Sequence, residues 1–114
     1  KTTLEIYDEI TVRDIQDAAD ALKNIFCKTK GLDGYVSLEV NPKLAYDLEE
    51  TLAEAERLYK KVSRPNLMLK IPATDEGFKA IEELTASGKN INATLIFSLR
   101  QYVSVAEAYM KGIK

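Results

Sequence analysis

The most informative stretch of this chain is NLMLKIPAT, at residues 66–74. Its first six residues are apolar apart from Asn66 and Lys70, and a proline follows them directly. A short apolar run that is closed by turn or breaker residues is typical of a buried β-strand. We therefore predict a strand over Asn66–Ile71 with a single lysine near its downstream end.

Two further runs have the same character, Tyr35–Val40 and Ile91–Phe97. Both follow turn signals that contain glycine, and both are rich in β-branched or aromatic residues. Each of them also carries polar side chains at strand positions, which are Glu39 in the first run and Asn92 and Thr94 in the second. The chain is thus predicted to have three strands, and all three bear groups that can take part in chemistry.

Residues at helical spacing fill the intervals between these strands. A short helical turn is predicted over Glu5–Ile10, and a capping box at Thr11 predicts a separate helix over Val12–Phe26. Further helices are predicted from Asn41 to about Val62, over Asp75–Ala86, and after Ser98. The predicted order is therefore α-β-α-β-α-β-α.

Strands that are joined by helices in this way must be parallel, and successive side chains of a strand point to opposite faces. Each predicted strand has one wholly apolar side, suited to packing on helices, and one mixed side. The three mixed sides would then face one shared volume. The interior of a (β/α)8 barrel, or TIM barrel, is such a volume, and its functional groups gather where the strands end. The predicted fold class is α/β, a partial TIM barrel in which three parallel strands alternate with helices.

The composition excludes several kinds of site. The 114 residues include no histidine, which removes Ser-His-Asp triads and histidine-ligated metals, and the single Cys27 cannot form an internal disulfide. A net charge of -2 without a basic run argues against a nucleic-acid surface. No apolar stretch approaches the length of a membrane span. We therefore expect no metal, no cofactor, no nucleic-acid or membrane partner, and a cytoplasmic location.

The polar residues of the three strands suggest a convergent catalytic site. An amine such as Lys70, when apolar surroundings keep it neutral, can attack a carbonyl and form a Schiff base. Glu39 could move the protons, alone or through a water held by Thr94, and Asn92 could orient substrate hydroxyls. A strand-end lysine can also simply extend into solvent, and a Glu–Lys pair can be purely structural. The pattern of residues leaves both interpretations open.

The three polar strands resemble those of the transaldolase family. The matching stretches are GYVSLEV at residues 34–40, LKIPAT at 69–74 and INATLIFS at 91–98. The resemblance implies a class I mechanism that needs neither a metal nor a cofactor. It gives Lys70 the role of Schiff-base lysine, Glu39 that of acid and base, Thr94 that of holding the catalytic water, and Asn92 that of binding the dihydroxyacetone part of the substrate.

The resemblance also implies the substrates. The family transfers a dihydroxyacetone unit from fructose 6-phosphate to erythrose 4-phosphate, in the pentose phosphate pathway. Related fructose-6-phosphate aldolases tend to carry glutamine at the place of Glu39 and lack an asparagine at the place of Asn92. The residues found here therefore favour a transferase that acts on sugar phosphates.

The resemblance extends over nearly the whole chain, but the family fold is an eight-stranded barrel. Residues 1–114 are expected to form a single segment that matches about strands 3 to 5, without the groups that hold the substrate phosphate. Such a piece of a barrel has open edges, so we expect it to self-associate and to be inactive when isolated. Two alternatives are a structural, self-associating module without turnover and an enzyme similar to fructose-6-phosphate aldolase.

Overall fold

The computed structural model describes all residues from Lys1 to Lys114, and helices and strands alternate along them as predicted. The helices are α1 (Thr3–Lys28), α2 (Leu48–Val62), α3 (Asp75–Ala86) and α4 (Leu99–Gly112), with a 3-10 turn at Pro42–Leu44. The strands are β1 (Val36–Glu39), β2 (Leu67–Pro72) and β3 (Ile91–Thr94). No helix has both the length and the apolarity that are needed to cross a bilayer.

The strands form one parallel sheet in the order β1-β2-β3, so β2 is the central strand. In the register of this sheet, Glu39 lies opposite Lys70, and Lys70 lies opposite Asn92. α2 packs on β2, α3 packs on β2 and β3, and α1 packs on β1 and α2. The last helix, α4, packs mainly on α3. The predicted fold class is confirmed: the chain has the α/β architecture of part of a (β/α)8 barrel.

The hydrophobic core lies on the side of the sheet that faces the helices. Leu67, Leu69 and Ile71 of β2 are fully buried there, whereas Met68 and Lys70, which alternate with them, are only partly buried. Leu38 and Val40 occupy the same side of the neighbouring strand. The predicted division of each strand into an apolar and a mixed side is therefore confirmed, and the mixed sides form the open face of the sheet.

Asn66 joins three parts of the fold. Its side chain is almost completely buried, and its amide nitrogen donates hydrogen bonds to the carbonyl oxygens of Ala19, at 2.8 Å, and Gly34, at 2.9 Å. Its own carbonyl oxygen accepts a hydrogen bond from the backbone N–H of Val36. A buried amide with these partners is stabilising, because both hydrogens of its nitrogen find acceptors that replace water. Asn66 therefore ties α1 and the start of β1 to the beginning of β2.

The first two predicted helical segments are in fact one helix of 26 residues. Its capping box is formed by Thr2 and Glu5 rather than at Thr11, which lies inside the helix. The prediction of a break was wrong. The segment contains neither glycine nor proline, and a capping sequence does not interrupt a helix when the turn before it is already helical. Val12 and Ala19 form the buried side of α1, as their helical spacing predicted.

The second helix begins later than predicted. Asn41 accepts a hydrogen bond from the backbone N–H of Lys43, but this start signal produces only the short 3-10 turn. The α-helix proper begins after Asp47, whose side chain caps it by accepting from the N–H of Glu50 at 3.0 Å. Aspartate is among the preferred N-cap residues. The residues between Asn41 and Asp47 form part of the loop after β1.

The third strand is shorter than predicted, since it ends at Thr94 and not at Phe97. Leu95 has φ = 60°, which takes the backbone out of the extended conformation. This left-handed region is unfavourable for a residue with a side chain, so sequence-based propensity does not place a turn there. Ser98 and Gln101 predict a capping box, and only half of it forms. The Ser98 hydroxyl accepts from the N–H of Gln101 at 3.1 Å and begins α4, but the Gln101 side chain accepts from the N–H of Phe97 rather than from that of Ser98.

An ion cluster connects α1 to α2. The carboxylate of Asp8 accepts two hydrogen bonds from the Arg57 guanidinium, at 2.8 and 3.1 Å, and a further one from Lys61. These hydrogen bonds, led by that of Arg57, lower the pKa of Asp8 to about 2 from an ordinary value of 3.8. Glu54 also pairs with Arg57, and Glu54 and Asp8 together raise the pKa of the guanidinium.

This cluster predicts a pH-dependent stability. A folded-state pKa below the unfolded value stabilises the fold above pH 3.8, and the contribution is lost as the pH falls toward about 2. We expect Asp8→Asn to lower the free energy of unfolding at neutral pH by about 1 kcal/mol, the scale of a partly exposed pair. Urea unfolding across this pH range should show the two proteins converging in acid. Asp14→Asn, at an exposed position of the same helix, is the control, and a constant difference at every pH would contradict the assignment.

Gly77 allows the start of α3 to approach the end of β2. A Cβ atom at this position would lie 1.9 Å from the carbonyl oxygen of Pro72, a backbone atom. Alanine normally stabilises a helix relative to glycine, but here we expect Gly77→Ala to destabilise the fold by about 1–3 kcal/mol, as overpacking does. Gly88→Asn is the control, because that position is open and asparagine tolerates its positive φ. Thermal unfolding measures both, and a more stable Gly77→Ala would disprove the steric argument.

Candidate active site

Three of the predicted site residues lie side by side on the open face of the sheet. The register places Glu39 of β1, Lys70 of β2 and Asn92 of β3 at one level, and we call these three residues the site row. Residues at matching positions of parallel strands point to the same face, and neighbouring strands lie about 4.8 Å apart. The sheet therefore brings an amine, a carboxylate and a carboxamide together from parts of the chain that are far apart in sequence.

Lys70 and Glu39 are the closest charged pair of this face. The Nζ atom of Lys70 lies 3.6 Å from Oε2 of Glu39, and the two side chains are 36% and 40% exposed. An ion pair with this separation and exposure contributes little to stability, about 0–1 kcal/mol. The pair therefore does not hold Lys70 in a fixed structural role, and both groups are accessible from the open face.

Asn92 makes a hydrogen bond that the sequence analysis did not predict. Its Nδ2 donates to Oγ of Ser37 at 2.9 Å, across the central strand. Ser37 lies two residues before Glu39 and on the same side of β1. This shared side was the one feature of the sequence that could have indicated Ser37 as part of the site. The structure adds Ser37 to the polar residues of the open face.

Thr94 is one step further along the sheet than the site row. It lies opposite Pro72 in the register, two residues beyond Asn92 and therefore on the same face. Its carbonyl oxygen accepts a hydrogen bond from the backbone N–H of Ala73 at 2.9 Å. β2 lies between Thr94 and Glu39, and no hydrogen bond joins these two side chains. The structure thus places all four predicted site residues on one face, three at one level and Thr94 at the next.

Polar side chains also tie the loops at the carboxyl ends of the strands to one another. Gln101 donates to the carbonyl oxygens of Ala73, at 2.9 Å, and Leu95, at 3.3 Å, and its own oxygen accepts from the N–H of Phe97. Thr74 donates to the carbonyl oxygen of Ala45 at 2.5 Å. The bonds of Gln101 hold the backbone after Thr94, where Leu95 has its left-handed conformation.

One cavity near the site lies between α1, α2 and the end of β1. It measures about 410 Å³ and reaches Glu39, Leu38 and Tyr7, but it does not include Lys70 or Asn92. The site row instead faces the open side of the sheet, where a closed barrel would have its interior. No group of three or more histidine, cysteine, aspartate or glutamate side chains lies close enough to hold a metal ion. The arrangement on the open face suits covalent chemistry by an amine next to a carboxylate.

Comparison of the sequence with known proteins identifies its family. The sequence model of the family described as transaldolase/fructose-6-phosphate aldolase matches residues 1–113. A transaldolase of Trichodesmium erythraeum is 45% identical over 114 residues, which are 100% of this chain and 30% of that protein. A transaldolase of Saccharopolyspora erythraea is 54% identical over 106 residues, or 93% of this chain and 28% of that protein.

A third relative, a transaldolase of Thiobacillus denitrificans, is 50% identical over 107 residues, which are 94% of this chain and 30% of that protein. The chain thus spans about three tenths of the length of the curated relatives that it matches. The resemblance inferred from the three strand motifs is confirmed, and the chain belongs to the transaldolase/fructose-6-phosphate aldolase family.

Proposed function

We propose that this chain carries the Schiff-base centre of a transaldolase, which transfers a dihydroxyacetone unit between sugar phosphates in the pentose phosphate pathway. The observation that carries the proposal is the site row, in which the Lys70 amine lies 3.6 Å from the Glu39 carboxylate and is flanked on the other side by Asn92. Family membership supports the reaction class. This chain spans only about three tenths of the length of its relatives. The activity of a complete transaldolase is therefore part of the proposal.

In this mechanism the neutral amine of Lys70 attacks the ketone carbon of the donor sugar. Glu39 transfers a proton to the departing hydroxyl, water leaves, and a C=N double bond forms between the sugar and Nζ. The resulting cationic iminium accepts the electron pair of the C–C bond between the α and β carbons when that bond breaks, which gives an enamine. Glu39, now a carboxylate, takes the proton of the hydroxyl that becomes the aldehyde, and the shortened aldose leaves.

The three-carbon unit stays on Lys70 as an enamine and attacks the aldehyde carbon of an acceptor sugar. The new alkoxide takes back its proton, and water then releases the longer ketose from the lysine. Asn92, next to Lys70 in the register, is suited to hold the hydroxyls of the retained unit. Thr94, one step further along, is suited to hold the water through which Glu39 acts.

Glu39 and Asn92 favour the transferase over an aldolase. A carboxylate beside the lysine supplies the proton transfers, and an amide that grips the retained unit keeps it bound until an acceptor arrives. Free sugar phosphates as substrates fit a cytoplasmic enzyme. We further propose that the segment corresponds to about strands 3 to 5 of the family barrel.

Reductive trapping tests the Schiff base. With dihydroxyacetone and borohydride, we expect a stable adduct on Lys70, because reduction converts the C=N bond into a secondary amine. Mass spectrometry of proteolytic peptides locates it. Lys70→Met should abolish the adduct, whereas Lys60→Met, which removes an exposed lysine of α2, should leave it unchanged. An unmodified Lys70, or modification spread evenly over the lysines, would contradict the mechanism.

An assay of turnover distinguishes a transaldolase from an aldolase and from a chain without turnover. Release of glyceraldehyde 3-phosphate from fructose 6-phosphate only when erythrose 4-phosphate is added supports a transaldolase. Release without an acceptor would identify an aldolase. Trapping without any turnover would indicate that the chain has the Schiff-base chemistry but needs further barrel strands to complete the site.

We also propose that the isolated chain self-associates. Large apolar side chains are exposed in two parts of the chain. One part is α1, with Leu4, Tyr7 and Ile10, and the other is the start of α4 and the residues just before it, with Phe97, Leu99 and Tyr102. The outer strands also present unpaired backbone groups, which favours pairing between chains.

Size-exclusion chromatography with light scattering should therefore give a mass above the 12.8 kDa of one chain. Leu99→Glu should lower this mass by charging the α4 side, while Leu32→Glu, at an equally exposed leucine before β1, should not. A monodisperse monomer at high concentration would refute self-association.

A further inference from the structure

The hydrogen bond between Ser37 and Asn92 connects the two outer strands of the sheet. It joins residues that are 55 positions apart in the sequence and crosses the open face of β2. Ser37 lies opposite Met68 in the register, while Asn92 lies opposite Lys70, so the bond runs diagonally and passes on the amino-terminal side of the lysine. Both side chains are half-buried, which shields the bond in part from competing water.

We propose that Ser37 is a positioning residue, which orients the carboxamide of Asn92 beside the Schiff-base lysine. This inference rests on the proposed function. The terminal torsion of an asparagine side chain has a broad energy minimum, so an external partner must decide how the amide plane is rotated. With Nδ2 donating to Ser37, the oxygen Oδ1 becomes the group of the amide that is available to accept a hydrogen bond from a substrate hydroxyl.

Strand β1 therefore supports the site with two side chains at once. Ser37 and Glu39 are separated by one residue and share a face, about 6.6 Å apart along the strand. Glu39 contacts Lys70 on the central strand, and Ser37 reaches past it to Asn92 on the far strand. The spacing lets Ser37 hold the amide without occupying the space between Glu39 and Lys70, where the protons move.

A serine is well suited to this position. Its hydroxyl oxygen accepts the amide hydrogen, and its own proton remains free to bond to water or to substrate. Alanine would leave Nδ2 without this partner, and the amide could then rotate. Threonine keeps the hydroxyl, and its branched side chain is favourable in a strand. The pair Ser37→Ala and Ser37→Thr therefore separates the loss of the hydroxyl from a change of size.

The trapping reaction on Lys70, with dihydroxyacetone as the probe, tests this role. We expect Ser37→Ala to raise the half-saturating concentration of dihydroxyacetone about fivefold, the scale of one hydrogen bond, with little change in the rate at saturation. Ser37→Thr should restore the wild-type value. A lower rate at saturation with an unchanged half-saturating concentration would overturn the proposal, as would a Ser37→Thr variant that behaves like Ser37→Ala.

A double-mutant cycle shows whether Ser37 acts through Asn92. If it does, Ser37→Ala has no further effect in an Asn92→Ala background, whereas independent roles would give additive losses and would overturn the proposal. The side-chain amide resonances of Asn92 in the ligand-free chain give a readout that does not depend on the reaction. They should shift in Ser37→Ala and stay in place in Lys60→Met, which removes an exposed lysine of α2.

These experiments also distinguish the inference from the proposed function. Normal trapping by the wild type with no change in Ser37→Ala would overturn only the role of Ser37. An absence of trapping at Lys70 in the wild type would overturn the Schiff-base proposal, and the role of Ser37 would fall with it. The Asn92 amide resonances would then report only whether the hydrogen bond itself exists.

Discussion

The alternation of side chains along β2 is the constraint on which the rest of this structure depends. Leu67, Leu69 and Ile71 are completely removed from solvent on the helix side, so a shift of the strand by one residue would expose all three. The same alternation turns Lys70 toward the open face. The residues that hold the hydrophobic core together thus also determine the direction in which the amine points.

The position of β2 relative to its neighbours is set by polar contacts as well as by packing. Asn66 hydrogen-bonds α1 and the turn before β1 at one end of the strand. Gly77 lets α3 press against the other end, where a side chain would collide with Pro72. With both ends held, Lys70 stays level with Glu39 and Asn92. The weak Lys70–Glu39 ion pair does not create this geometry but results from it.

The open face combines groups that are held by different numbers of contacts. Lys70 and Glu39 are partly exposed and are joined to each other by a 3.6 Å ion pair. Asn92 is held by Ser37, and the backbone after Thr94 is held by Gln101. Groups that form and break bonds need freedom to exchange protons, whereas groups that orient the substrate work better when they are fixed in advance. The two kinds of group lie on different strands and have different partners.

The sequence by itself determined the α/β order and the apolar and mixed sides of each strand, and it named Glu39, Lys70 and Asn92 as candidates, because these depend on local periodicity and on motifs. It predicted a break in α1 that does not exist, and it misplaced the beginning of α2 and the end of β3. A capping sequence acts only where the chain is not already helical, and the left-handed conformation of Leu95 has no local signal. Only the tertiary structure decided the strand register, the Ser37–Asn92 bond and the ties made by Gln101. These contacts join residues that are far apart in the chain, and their partners are chosen by packing rather than by neighbouring sequence.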